Sequence, residues 1–274
     1  MGTFSEATRL VAREGTTDRR EFGATLDPQW AIGDKPHGGY LLSVLSRAAS
    51  EAAGERHPHL TAIGGSFLEA PAAGPADVRV EILREGRGAT QVRARLSQDG
   101  RPCVEALITL GRLETAGSWW SSGPPVELPA ERDCLRAPPE APGADFRVPL
   151  MEVVELRLDP AQLGFAFGAP AREGRLSGWW RLADGSDWDP ASLLVALDPA
   201  PPVSFELGLG GWVPTIQFSA SIRRLPAPGP VRAAWRTMDV SNDRMDQTTH
   251  VWDEAGLLVG QSSQIHGVRI PAAL

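Results

Sequence analysis

With 274 residues, 42% of them hydrophobic and 22% charged, the chain holds enough apolar material for one large or two ordinary globular domains. A net charge of -7 and a pI near 5.3 argue against a nucleic-acid partner, which would require a basic face. Two cysteines exclude a disulfide framework, and 29 Gly with 24 Pro exclude long coiled coils.

The first thirty residues lack the apolar core of a secretory signal, and no run of about 18 uncharged apolar residues occurs further on. A cytoplasmic protein with no membrane partner is therefore expected. The first strong periodic segment is "HGGYLLSVLSRAASEAAGE" (37–55), where Tyr40, Leu41, Val44 and Ala48 recur at helical spacing behind a Gly-Gly start. "SFLEAPAAGPADVRVEIL" (66–83) reads as a strand, a Pro/Gly turn and a strand. "GATQVRARLSQDGRPCVEALITLGRL" (88–113) reads as a long hairpin turning at Asp99-Gly100. Residues 114–150 are rich in Pro, Gly and Ser without sustained periodicity, as in a surface linker.

Beyond that linker the same order returns. "DPASLLVALDPAPP" (189–202) predicts a short helix with Asp189 as N-cap, Pro190 at the first position and a proline cluster as the stop. "SIRRLPAPGPVRAAW" (221–235) repeats the strand–turn–strand, and "DQTTHVWDEAGLLVGQSSQIHGVRI" (246–270) repeats the hairpin, turning at Glu254-Ala255-Gly256. The repeat divides the chain into domains at 15–113 and 151–272, joined by the 114–150 linker. Each half is α+β, one helix against an antiparallel sheet, and the two sheets can join edge to edge. One segment breaks strand alternation: Gln261-Ser262-Ser263-Gln264 puts four polar residues in a row.

In order and spacing, "HGGYLLSVLSRAA", "ALDPAPPVSFELG", "WVPTIQFSASIRRLPAPG" and "LLVGQSSQ" resemble the acyl-CoA thioesterase II (TesB-like) family over about residues 15–272. The resemblance implies a tandem double hotdog, two helices wrapped by one continuous antiparallel sheet. It also implies hydrolysis of an acyl-CoA in fatty acid metabolism, and a homo-oligomer. Its catalytic Asp, Thr and Gln fall on Asp198, Thr215 and Gln264, which would position and activate the attacking water.

Those residue types suit that chemistry. A carboxylate can accept the proton of the attacking water, while a hydroxyl and an amide can orient it without a competing charge. Gly38 and Gly39, at a helix start, are candidate oxyanion donors through their backbone N–H groups. Laid on the second half, the first offers Ser46 opposite Asp198, Leu60 opposite Thr215 and Thr109 opposite Gln264, so one site per chain is expected. Ordinary readings stand beside these: Asp198 as a turn residue, Thr215 as a β-branched strand residue, Gln264 as a solvated one, and Gly38-Gly39 as a packing device.

No HExxH or paired-cysteine spacing occurs among the five histidines, so no metal and no cofactor are expected. His37 beside the helix start keeps a hotdog hydratase or dehydratase open as the alternative enzyme. A non-catalytic acyl-CoA or lipid-binding module is the alternative of another class. The tryptophan pairs Trp119-Trp120 and Trp179-Trp180 are expected to cover apolar surface. Arg84, Arg87, Arg223 and Arg224 are the arginines weighed for the CoA phosphates.

Overall fold

The structure is a computed structural model describing residues 3–13, 15–16, 18–123, 125–140 and 146–271. A one-turn helix α1 (Phe4–Ala7) leads into β1 (Leu10–Ala12), β2 (Arg19–Leu26) and a small ribbon, β3 (Ala31–Ile32) with β4 (Lys35–Pro36). Then come helix α2 (Gly38–Ala53), β5 (His59–Phe67), β6 (Gly74–Glu85), β7 (Thr90–Gln98) and β8 (Arg101–Gly111). The second half follows as β9 (Leu135–Arg136), α3 (Leu150–Val153), β10 (Val154–Leu158), a 3₁₀ stretch (Pro160–Phe167), β11 (Arg175–Leu182), α4 (Leu193–Leu197) and α5 (Val203–Glu206). It ends with β12 (Thr215–Ile222), β13 (Val231–Arg236), β14 (Val240–Ser241), β15 (Arg244–Trp252) and β16 (Leu258–Gly267).

One sheet of 14 strands runs in the order β1-β2-β6-β7-β8-β5-β12-β16-β15-β13-β11-β10-β9, with β14 on β15. Every pairing in it is antiparallel. Its centre is the β5–β12 seam, where Gly64 faces Ser219, and the order outward from that seam is mirrored. This is the tandem double hotdog, with the inner edges of both halves satisfied by each other.

Local chemistry explains the turns. Asp99 and Gly100 both have positive φ, 52° and 76°, as a two-residue hairpin with right-handed twist requires. The two Pro/Gly turns reverse the chain without making hairpins: β5 and β6 are separated by β8 and β7, and β12 and β13 by β16 and β15.

Helix α2 is buried on nearly all sides and touches β5, β6, β7 and β8. Tyr40 anchors it, its hydroxyl donating to Ala7 O and accepting from Asp27 N, and burial pushes its pKa up to about 12. The second helix is shorter than the 189–202 expectation. Asp189 accepts from the N–H groups of Ala191 and Ser192, but regular α structure spans only Leu193–Leu197. Asp198 precedes Pro199, and proline disfavours the helical region for the residue before it.

The 114–150 segment does more than cross a surface. Within it Cys134, Val148 and Leu150 are buried, and Leu135–Arg136 supplies an outer strand of the sheet. Trp119 is 100% and Trp120 72% exposed, so that pair covers little of the surface, whereas Trp180 is fully buried and Trp179 donates Nε1–H to Pro129 O. Arg224 is not free for phosphates: buried, it donates to Leu258 O, Ala116 O and Ser118 Oγ, pinning the segment to the sheet. No helix among the described residues is long and apolar enough to cross a membrane.

Candidate active site

The two helices meet at the N-terminus of α2. A Cβ on Gly39 would lie 2.3 Å from Leu194 O, so glycine is what lets α2 approach the α4 backbone. That approach delivers Asp198, just past α4, to the amide end of α2. Gly39 N donates to Asp198 Oδ2 at 2.7 Å, and a Cβ on Gly38 would meet the same oxygen at 2.7 Å. Both glycines therefore have packing roles, and the Gly39 N–H is taken by the carboxylate instead of being free for an oxyanion. The positive end of the α2 dipole faces that carboxylate.

His37 completes the clasp. Its Nε2 lies 2.7 Å from Asp198 O and 3.3 Å from Asp198 Oδ2, and since both are acceptors, Nε2 carries the proton. Its Nδ1 is buried without a hydrogen-bond partner. The histidine weighed for an alternative chemistry is thus the neighbour of the proposed base.

Thr215 reaches the site through a bulge. Phe218 is buried on β12, so strict alternation would turn residue 215 outward. The register slips between Thr215 and Gln217, so Thr215 pairs with His266 while Phe218 pairs with Gln264. Ile216 is the extra residue, and Thr215 returns to the inner face. Its Oγ1 lies 3.3 Å from His266 Nδ1.

His266 was not singled out by the sequence. It stands two residues after Gln264, hence on the same inner face, and that period is the signal that could have found it. Burial pushes its pKa down to about 4, with Asp198 and Asp246 pulling the other way, so the ring is neutral at physiological pH. Its Nε2 is buried and without a hydrogen-bond partner.

Asp198, Thr215, His266, His37 and Gly38 line one cleft of about 310 Å³ between the halves, walled by Phe67, Phe146 and Trp212. Gln264 stands one layer behind it. Its Nε2 donates to Leu197 O at 3.0 Å, an acceptor shared with the Ser262 hydroxyl at 2.6 Å, and its Oε1 is buried without a partner. The polar run is therefore two inner residues, Ser262 and Gln264, holding the carbonyl just before Asp198.

Among the described residues the first half carries no polar set at the corresponding strand positions, and its register corrects one correspondence. β5 carries the matching bulge, between Leu60 and Ala62, which equates Leu60 with Thr215 and Leu110 with His266. Gln264 then corresponds to buried Ile108, not to Thr109, because a one-residue slip changes the face. His57 and His59 serve local structure, His57 Nδ1 contacting Thr90 Oγ1 and His59 Nδ1 accepting from Leu113 N.

Residues 26–111 match the acyl-CoA thioesterase N-terminal domain, and residues 129–268 match the acyl-CoA thioesterase C-terminal domain. An uncharacterised Mycobacterium tuberculosis protein is 31% identical over 93% of this chain and 94% of its own. Among solved structures, a candidate thioesterase II from Thermobifida fusca superposes with a TM-score of 0.86 at 29% identity, covering 98% of each chain. A hot dog fold protein of unknown function from Alicyclobacillus acidocaldarius has a TM-score of 0.83 at 20% identity over 99% of this chain and 100% of its own, a likeness of fold. By the domains it matches, the chain belongs to the acyl-CoA thioesterase family.

Proposed function

We propose that this protein hydrolyses the thioester of an acyl-CoA to a free carboxylic acid and CoA, with one site per chain. The observation that carries the reading is the Asp198 carboxylate, held in the interhalf cleft by the Gly39 N–H and flanked there by Thr215 and His266. Water attacks the thioester carbonyl carbon as Asp198 accepts its proton. The tetrahedral intermediate collapses by breaking the C–S bond, and the proton passes to the departing thiolate. Thr215 Oγ1 and neutral His266 Nδ1 lie 3.3 Å apart, and in the tautomer with the proton on Nε2 the hydroxyl donates to Nδ1 and keeps its lone pairs for an O–H of the water. Gln264 acts through Leu197 O, fixing the turn that aims Asp198, and the Gly38 N–H, next to the amide that Asp198 takes, is the candidate oxyanion donor at the start of α2.

The reading is supported by family membership and by the asymmetry of the two halves, since the first offers only Leu60, Ile108 and Leu110 at the equivalent strand positions. The test is free-thiol release from a panel of acyl-CoAs by wild type and Asp198→Asn. Wild type should turn over, and the variant should lose about 10²–10⁴-fold in rate while folding normally. A wild-type rate in Asp198→Asn would remove the carboxylate from the mechanism.

The His37–Asp198 contact across the two halves favours a second reading, addition of water to an enoyl-CoA or its reverse. Loss of enoyl-CoA absorbance without thiol release would select it. Tight acyl-CoA binding with neither reaction would select a non-catalytic binding module. The cytoplasmic setting and homo-oligomeric assembly belong to the same proposal, and sedimentation tests the second.

A further inference from the structure

Beside the cleft lies a second chamber of about 290 Å³, and the two share Ile32, Phe146, Ala200, Pro202 and Phe205 as lining. They adjoin along these shared residues, two of which are aromatic. Phe146 packs edge-on against Trp212 in the cleft, and Phe205 packs edge-on against Phe165 in the chamber. The far walls come from the connecting segment, α3 and the 3₁₀ stretch, through Val148, Met151, Leu163 and Phe165. Arg136 is the one charged residue lining it among the described residues, and it is paired with Glu155 on β10.

We infer that this chamber receives the acyl group of the thioester whose carbonyl is held at Asp198, and that it selects unsubstituted, medium-length alkyl or aryl groups. The inference rests on the thioesterase reading for the placement of the carbonyl. The size falls at the lower end of the range for small-molecule pockets, which argues against very long chains. Apart from Arg136, whose charge Glu155 already balances, the lining holds no polar side chain among the described residues, and a polar group buried without a partner is penalised. The connecting segment thereby becomes a specificity element in addition to joining the halves.

The test is equilibrium binding of non-hydrolysable S-alkyl-CoA thioethers, from ethyl to hexadecyl, to the full chain. Wild-type affinity should rise about fourfold per methylene until the chamber is filled, then level off. Ala166→Trp, which fills the chamber from the 3₁₀ stretch, should move the plateau to shorter chains and leave the ethyl thioether unchanged. An ω-carboxyl analogue should bind at least tenfold more weakly than its parent. If Ala166→Trp fails to fold, Ala137→Leu makes the same comparison from the opposite wall. An unmoved plateau in a folded variant, an ω-carboxyl analogue that binds equally well, or no dependence on chain length would overturn the chamber. Parallel thiol-release assays separate the two ideas: length-dependent binding without hydrolysis defeats the reaction assignment alone, and hydrolysis with length-independent binding defeats the chamber alone.

Discussion

Replacing Gly39 by alanine tests the contact that brings the two helices together. The added methyl would sit 2.3 Å from Leu194 O, 2.9 Å from Leu194 C and 3.0 Å from Val195 Cα, all backbone atoms that cannot rotate away. Ordinary contact begins near 3.4 Å, so α2 and α4 must separate by about 1.1 Å, although α2 is enclosed by four strands. Overpacking of this kind costs about 1–3 kcal/mol, and a backbone target places it at the upper end. Alanine's better helix propensity returns about 1 kcal/mol, leaving a net loss of about 2 kcal/mol. In a chain of this size that is a fall of about 4–8 °C in Tm, measurable by calorimetry. The same separation stretches the 2.7 Å bond from Gly39 N to Asp198 Oδ2, so thiol release should fall with stability. Gly64→Ala is the control: Gly64 has open space around it on a strand, and the change should be neutral or slightly stabilising. A Gly39→Ala protein as stable as wild type would refute this account of the helix contact.

Gly38→Ala should show the opposite balance, because its methyl meets movable groups, Asp198 Oδ2 and Phe67 Cζ: turnover should fall more than Tm does. Gln264→Met keeps the volume and removes the amide; with Ser262 Oγ still on Leu197 O, stability should fall by only about 1 kcal/mol while kcat falls more than KM rises, as steady-state kinetics would show. Folding holds His266 neutral, with its pKa at about 4 against 6.5 when unfolded, so the unfolded chain binds the extra proton between those values. Stability should therefore be complete above pH 6.5 and lost as pH falls toward 4, by up to about 3 kcal/mol, and His266→Asn should flatten that part of a urea-denaturation pH profile. Ser46→Ala removes a buried hydroxyl without a hydrogen-bond partner in the first half and should leave thiol release unchanged.

Much of the fold is written in local signals: Asp99-Gly100 needs positive φ and marks its hairpin, and α2 announces itself by spacing. The long-range placement is not local. Nothing in a Pro/Gly turn says that the next strand lies across two others, because that is decided by which edges remain unpaired. The candidate site could be named in the sequence as three residues in matching blocks, but not as geometry. Alternation along β12 puts Thr215 on the wrong face, and only a bulge, invisible in composition, turns it inward. The same bulge shifts the count that set Thr109 opposite Gln264. His37 and His266 look unrelated in a list of histidines, and the β5–β12 seam and the packing of α2 on α4 bring them to one cleft.

The mirrored sheet has a consequence for how such a protein can change. Where a symmetric pair of separate chains makes two equivalent sites, any substitution lands in both, so chemistry and stability must be served by the same residue. Here the two copies sit in one chain and answer to different demands. Leu60, Ile108 and Leu110 fill with hydrocarbon the positions where the other copy keeps Thr215, Gln264 and His266. One copy can hold buried polar groups at some cost because its twin supplies a conventional interior. The first half's sheet interior, away from His37, Gly38 and Gly39, is then the natural place to add stability, and the strands of the second half are where polar groups can be exchanged against that support.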